Sequence, residues 1–200
     1  MMAIVDPIGV SAVMLSLLPA SATKEDVSKI AYKSTMTIII AFFVVLISGN
    51  ILLKIFGIEL DSIKVMGGIV LLITGLKMVS GAIEGKNQTK EERAEVKTND
   101  DFSVIPLAIP ITFGPGIFAT VVILKGHSNS VMDMLALVIA FLIVALAVYL
   151  AFKNSIHIKK YLGVTGQKII SRLMGLIVGA IAVQFMLSGS VELIKGYWGS

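Results

Sequence analysis

The sequence contains no cysteine, and that absence alone removes a disulfide framework, thiolate metal sites and a cysteine nucleophile. Charge is scarce as well. Only 15% of residues are charged against 56% hydrophobic, more apolar surface than a water-soluble core of this size can hide, so the natural solvent is lipid. No glycine-rich phosphate-binding loop occurs, which argues against a nucleotide-driven pump. The apolar runs hold no Asp pair, His-Glu cluster or Ser-His arrangement, so the chain is expected not to be an enzyme and to need no cofactor or metal. His127 and His157 are isolated residues without ligand partners nearby in sequence. The net charge of +4 would suit nucleic acid only on an exposed basic surface that this composition does not supply, so no nucleic-acid partner is expected.

What the sequence does have is a series of apolar runs, near residues 3–18, 36–55, 65–83, 102–124, 131–152 and 173–193. A bilayer core takes about 20 helical residues per span, so six spans fit the length. All are expected to be helical, because backbone exposed to lipid must satisfy its own hydrogen bonds. Lys77, near one end of the third run, can snorkel to the interface. Residues 17–22 resemble the end of a signal peptide, but no Lys or Arg precedes the run and Asp6 lies within it, so the segment is expected to stay.

Alternate loops differ in basic residues. One side receives Lys24, Lys29, Lys33, Lys86, Lys90, Arg93, Lys97, Lys153, Lys159, Lys160, Lys168 and Arg172; the other receives Lys54, Lys64, Lys125 and Lys195. By the positive-inside rule the first side is cytoplasmic and both termini face outward. Tyr197 and Trp198 suit an outer interfacial belt, and Lys64 and Arg172 read as interface anchors. The only long polar stretch gives the organisation: a first three-helix unit at 1–84, a solvated cytoplasmic linker at 85–101 and a second unit at 102–200, all in one membrane domain.

The two units are related. Lys64-Val65-Met66-Gly67 matches Arg172-Leu173-Met174-Gly175, and Met78-Val79-Ser80-Gly81 matches Met186-Leu187-Ser188-Gly189, both at a spacing of 108 (172 − 64). The same spacing carries Asp6-Pro7 onto Gly114-Pro115, while Phe56-Gly57-Ile58 matches Leu162-Gly163-Val164 two residues closer. Three spans per unit make the second unit enter from the opposite side, an inverted-topology repeat of the kind found in secondary transporters. The fold expected is therefore all-α and polytopic, six transmembrane helices as two inverted three-helix repeats. Only Met1 to Val5 precede the first Asp-Pro, whereas 102–113 precede Gly114, so either the first half-segment is shorter than its partner or the chain begins late relative to it.

Both first spans are expected to be broken. Asp6-Pro7 is a cap followed by a proline suited to the first helical position, set inside an apolar run. Pro106, Pro110, Gly114, Pro115 and Gly116 occupy the corresponding region, which no continuous helix would choose. Free amides at such starts attract a carboxylate, and carbonyls of a strand-like stretch before them can hold an ammonium group or a cation, so the simplest solute is a small zwitterion. Asp6 could cap its helix, bind a substrate amine or titrate a coupling proton; the plainer alternative is an N-cap near the outer interface. The Gly-Pro-Gly at 114–116 could instead be a mere kink. Gly67, Gly68, Gly75, Gly175 and Gly179 read as close-packing positions, and Thr74 and Gln184 as solute contacts or interhelical hydrogen-bonding groups.

Asp6-Pro7-Ile8-Gly9 with Leu15-Ser16-Leu17, Met66-Gly67-Gly68-Ile69, Pro106-Leu107-Ala108-Ile109-Pro110 running to Gly114-Pro115-Gly116, and Ala182-Val183-Gln184-Phe185 resemble the MarC family of integral membrane proteins, which includes SnatA-type small neutral amino acid transporters. The resemblance implies a multi-pass protein of a prokaryotic plasma (inner) membrane that moves glycine, alanine or threonine-like amino acids, driven by a cation gradient of H+ or Na+. It implies a substrate site of Asp6, Pro7, Ile8, Gly9, Ser11, Thr112, Gly114, Pro115 and Gly116, with Asp6 also serving the coupling ion. The family commonly has Asn and then Pro shortly after the Asp-Pro-x-Gly element, where this chain has Val10, Ser11 and Ala12. The other readings are an exporter or channel for another small polar solute and a non-transport membrane scaffold; too few polar intramembrane residues are present for a continuous pore lining.

Overall fold

The computed structural model describes residues 1–18, 22–81, 103–128 and 130–198. All regular structure among them is helical: α1 (Met2–Val5), α2 (Pro7–Leu17), α3 (Lys24–Ile55), α4 (Leu60–Ser80), a π-helix π1 (Ser103–Thr112), α5 (Pro115–Gly126), α6 (Val131–Lys153) and α7 (Ser155–Trp198). The linker expected at 85–101 lies outside the described residues.

Four helices, α3, α4, α6 and α7, are long and apolar enough to cross a membrane. The runs at 3–18 and 102–124 form no continuous helix; each is split into two shorter pieces, at Asp6 and at Phe113–Gly114. Polar signals extend α3 beyond its apolar run. It begins at Lys24 because Thr23 and Asp26 form a reciprocal capping box, and Val27 and Ala31 give its first turns a buried face. Ser130 and Asp133 cap α6 in the same way. Gly57 and Gly163, matched in the sequence repeat, take φ of 64° and 62°, a conformation that suits glycine. Gly57 ends the turn from α3 into α4, and Gly163 breaks α7 after residue 162. Gly81 ends α4 at φ 77°, whereas its match Gly189 is helical and buried inside α7.

The most extensive helix contact joins α4 to α7, and glycine makes it possible. A Cβ added at Gly75 would lie 2.8 Å from the Gly175 carbonyl oxygen and 3.0 Å from the Gly179 amide nitrogen; one at Gly68 would lie 2.8 Å from the Ala182 carbonyl oxygen. At the other end, a Cβ added at Gly189 would lie 2.7 Å from the Asp61 carbonyl oxygen. The two helices therefore run antiparallel with backbones nearly touching, the close approach that lets dispersion act where lipid supplies no hydrophobic drive. Around this seam α2 packs on α7 and α5 on α4; α2 also packs on α6 and α5 on α3; α1 touches α5 and π1 touches α2. Each of these pairings has its counterpart in the other half. The exchange is incomplete, since π1 also packs on α3 and α1 on α7. Phe42 of α3 stacks on Phe141 of α6 with ring centroids 3.7 Å apart and planes within 7°. Large apolar side chains on the outer faces, such as Ile47 at 66% and Ile143 at 61% exposure, are left for lipid.

Lys64 is not an interface anchor. It is buried, with its ammonium 2.6 Å from the Asp61 carboxylate, because packing beside Gly189 holds its stem against α7. The seam gives the first prediction. Gly75→Leu forces the side chain into the α7 backbone and lowers thermal stability in detergent by about 1–3 kcal/mol or more, whereas Gly179→Ala, whose Cβ meets open space, leaves it unchanged within about 0.5 kcal/mol. Thermal melts followed by size-exclusion chromatography read both; equal melting of the two variants would contradict the packing.

Candidate functional site

Two helices begin inside the apolar body. At the first start, Asp6 adopts φ 43° and ψ 68°, the only positive-φ residue other than glycine among those described. Asp tolerates this left-handed conformation better than most side chains because its short polar group can bond locally. Its amide donates to the Met2 carbonyl at 3.1 Å, closing α1, and its carboxylate accepts from the Gly9 amide at 3.2 Å, capping α2. Pro7 fills the first helical position, where its missing N–H is no loss. The Ile8 amide has no intrahelical carbonyl to bond. From α7, the Ser171 side chain stands beside the same carboxylate, next to Gly9. Asp6 is 6% exposed, so this is a buried carboxylate. Gly9 is required there: a Cβ would run into both the Asp6 carboxylate and the Ser171 hydroxyl.

The second start is built differently. The strand-like stretch expected before it is a π-helix, in which the Thr112 hydroxyl donates to the Leu107 carbonyl at 2.8 Å and the Phe113 amide to the Ala108 carbonyl at 2.8 Å. Pro106 and Pro110 remove two donors from that ladder, and wider turns of this kind recur at functional sites. The Leu107 and Ala108 carbonyls are thus engaged rather than free. Gly114 is extended, and Pro115 starts α5 with no side-chain cap. The Gly114 carbonyl accepts from the Ile117 and Phe118 amides at 3.0 and 3.1 Å, which leaves the Gly116 amide without an intrahelical partner. Gly116 lies on Leu71 of α4, where a Cβ would come within 2.8 Å of its methyl.

Asp6, Pro7, Ile8 and Gly9 are thus gathered at one helix start, and Gly114, Pro115 and Gly116 at the other, with Thr112 just before it. Ser11 and Thr112 are buried, but each hydroxyl donates to a carbonyl of its own segment, Ser11 to Ile8 at 2.7 Å. Thr74 likewise bonds Val70 within α4, and Gln184 is exposed on the outer face of α7. Between the starts, Met1, Ile4 and Val5 meet Ile117, Thr120 and Phe141 with no space for a water molecule. A cavity of about 530 Å³ lies on the other side of Gly114, between α3, π1 and α5; its lining is almost wholly apolar, including Ile40, Val44, Ile109 and Phe113. Ile40 and Val44 are exposed, so this groove opens toward lipid.

Two residues escaped the sequence reading. Ser171 matches Ile63 in the repeat, so no spacing flagged it. Lys125, assigned to a loop, sends its ammonium to the Leu46 and Ile47 carbonyls of α3.

The model of MarC family integral membrane proteins matches residues 1–194. The chain belongs to the MarC family. Among similar proteins are a UPF0056 membrane protein of Aquifex aeolicus, 33% identical over 198 residues covering 98% of this chain and 91% of that one, and the UPF0056 membrane protein MJ1677 of Methanocaldococcus jannaschii, 33% identical over 188 residues covering 93% and 90%. The UPF0056 membrane protein YhcE of Escherichia coli is 27% identical over 194 residues, covering 97% and 90%. No solved structure matches. In this MarC protein the first helix start separates conformation from charge. Asp6→Asn keeps an acceptor and a left-handed preference and holds stability within about 1 kcal/mol, whereas Asp6→Ala loses both cap and local bond and costs about 2 kcal/mol or more. Thermal unfolding of the two purified variants measures the difference; equal losses would mean the cap does not operate.

Proposed function

We propose that this MarC protein is a secondary transporter that moves small neutral amino acids, such as glycine, alanine or threonine, across a prokaryotic plasma membrane by alternating access. The carrying observation is the contrast between the two helix starts. One presents a buried carboxylate, Asp6, and the other an uncapped amide end at Gly116. A zwitterion complements that pair, its ammonium at Asp6 and its carboxylate at the start of α5. Buried carboxylates are costly in lipid and tend to mark a solute or proton path, which speaks for Asp6 as the group that also couples transport to H+ or Na+.

The exchange of packing partners between the halves, and the matched positive φ of Gly57 and Gly163, support two inverted repeats. In that arrangement α1–α2 and π1–α5 are the broken first and fourth of six spans, with the basic loops inside and both termini outside. A second reading has one observation in its favour: the apolar groove at Gly114 opens toward lipid and suits an apolar or amphiphilic solute entering sideways.

Purified protein in liposomes tests the two. Uptake of radiolabelled glycine, alanine and threonine is expected to saturate, to follow an imposed proton or sodium gradient and to fall at least about tenfold in Asp6→Asn, the equivalent of about 1.4 kcal/mol. No uptake of any of the three under either gradient would remove the amino acid reading and leave the lateral groove as the better guide.

A further inference from the structure

The two helix starts do not occupy equivalent places on the α4–α7 seam. Along α4, α5 packs with Ala119 on Gly67 and Gly116 on Leu71, so its start is well defined in register. Shifting every number by the repeat spacing of 108 converts these contacts to Ser11 on Gly175 and Ile8 on Gly179. Neither is found. A Cβ at Gly175 would meet Met78 of α4 at 2.6 Å, and one at Gly179 would meet nothing within 4 Å. The start of α2 sits instead with Gly9 beside Ser171, where the repeat would place it near Val178. The difference is nearly two helical turns along α7, roughly 10 Å at 1.5 Å per residue.

We infer that α1–α2 has a second seat on α7, nearly two turns toward Trp198, in which Ile8 packs into the notch at Gly179 and Asp6 leaves Ser171. Three observations carry it: the register fixed by α5 on α4, its absence in the matching pair, and an open notch where the missing side chain would lie. The sizes are complementary, because Gly116 on Leu71 becomes Ile8 on Gly179, the small and large partners exchanged. Sliding costs few directional bonds. The Asp6 cap of α2 travels with the helix, and what is given up is the contact of Asp6 with Ser171 and the apolar packing around it. In that seat Asp6 takes the place along α7 that the repeat spacing gives Gly114 along α4, so the carboxylate and the open end of α5 share one level. A solute bridging them would favour that state by its differential affinity, the only means by which a ligand shifts such an equilibrium. The inference rests on the inverted-repeat transporter reading for its purpose, but its geometry can be tested without transport.

The absence of cysteine makes the test direct. A protease site is placed in the 85–101 segment, and the chain is reconstituted in liposomes carrying either Asp6→Cys with Ser171→Cys or Ile8→Cys with Gly179→Cys. After mild oxidation and cleavage, a disulfide holds the two halves together on a non-reducing gel. Both pairs are expected to cross-link well above their single-cysteine controls, with Gly179→Cys alone eluting like the parent protein. Cross-linking of the first pair while the second stays at control level would overturn the second seat. Efficient cross-linking of both, with no amino acid uptake by the parent protein, would keep the two seats and remove the transport reading.

Discussion

The antiparallel contact of α4 with α7 is the constraint on which the rest of the molecule depends. In lipid two apolar helices gain nothing by hiding from water, so association rests on how closely their backbones can approach. Gly68, Gly75, Gly175 and Gly189 allow carbonyl-to-backbone distances that a single methyl would prevent. Once the seam is fixed, each of its helices offers a face to the other half: α5 docks on α4, α2 on α7, and the paired α3 and α6 close the outside through the Phe42–Phe141 stack.

A second requirement then shapes the interior. Backbone groups in hydrocarbon must be satisfied, yet two helices start within the apolar body, and each solves the problem in its own way. The first uses a side chain: Asp6 accepts from Gly9, and Ser171 stands beside the same carboxylate. The second uses backbone geometry, with π-spaced bonds carrying the ladder to Phe113 and an extended Gly114 turning it into α5. The result is a carboxylate at one start and an uncapped amide at the other. In the transporter reading proposed above, that asymmetry suits a solute with two unlike ends.

Much of this was legible in the sequence because a few residue types have few structural options. Asp6-Pro7 and Gly114-Pro115-Gly116 cannot sit in a continuous helix, and both breaks fall there. Gly57 and Gly163 stood at matched positions and both take a positive φ. Gly67, Gly68, Gly75 and Gly175 announced close packing and are closely packed, whereas a Cβ at Gly179, read the same way, would meet open space. Other features had no local signal. Hydropathy could not show that α3 begins at Lys24, since its first turns are amphipathic and only the Thr23–Asp26 box marks the start. Lys64 looked like an anchor because charge near a span end usually is one, and its burial beside Gly189 is a tertiary effect. Ser171 meets Asp6 only because α2 crosses α7 there, and the π-helix in place of a strand-like stretch is set by backbone bonds five residues apart, Phe113 to Ala108 among them.

The central claim is that the two broken elements cross the membrane in opposite senses, making six spans from two inverted halves. Labelling with a membrane-impermeant maleimide tests it most directly, using single Lys24→Cys, Glu59→Cys, His127→Cys and Asn154→Cys substitutions at exposed positions in sealed, oriented vesicles. The account predicts that Glu59→Cys and His127→Cys label from one face and Lys24→Cys and Asn154→Cys from the other. Labelling of His127→Cys from the face opposite Glu59→Cys would mean that π1 and α5 turn back without crossing, and the inverted arrangement would fail.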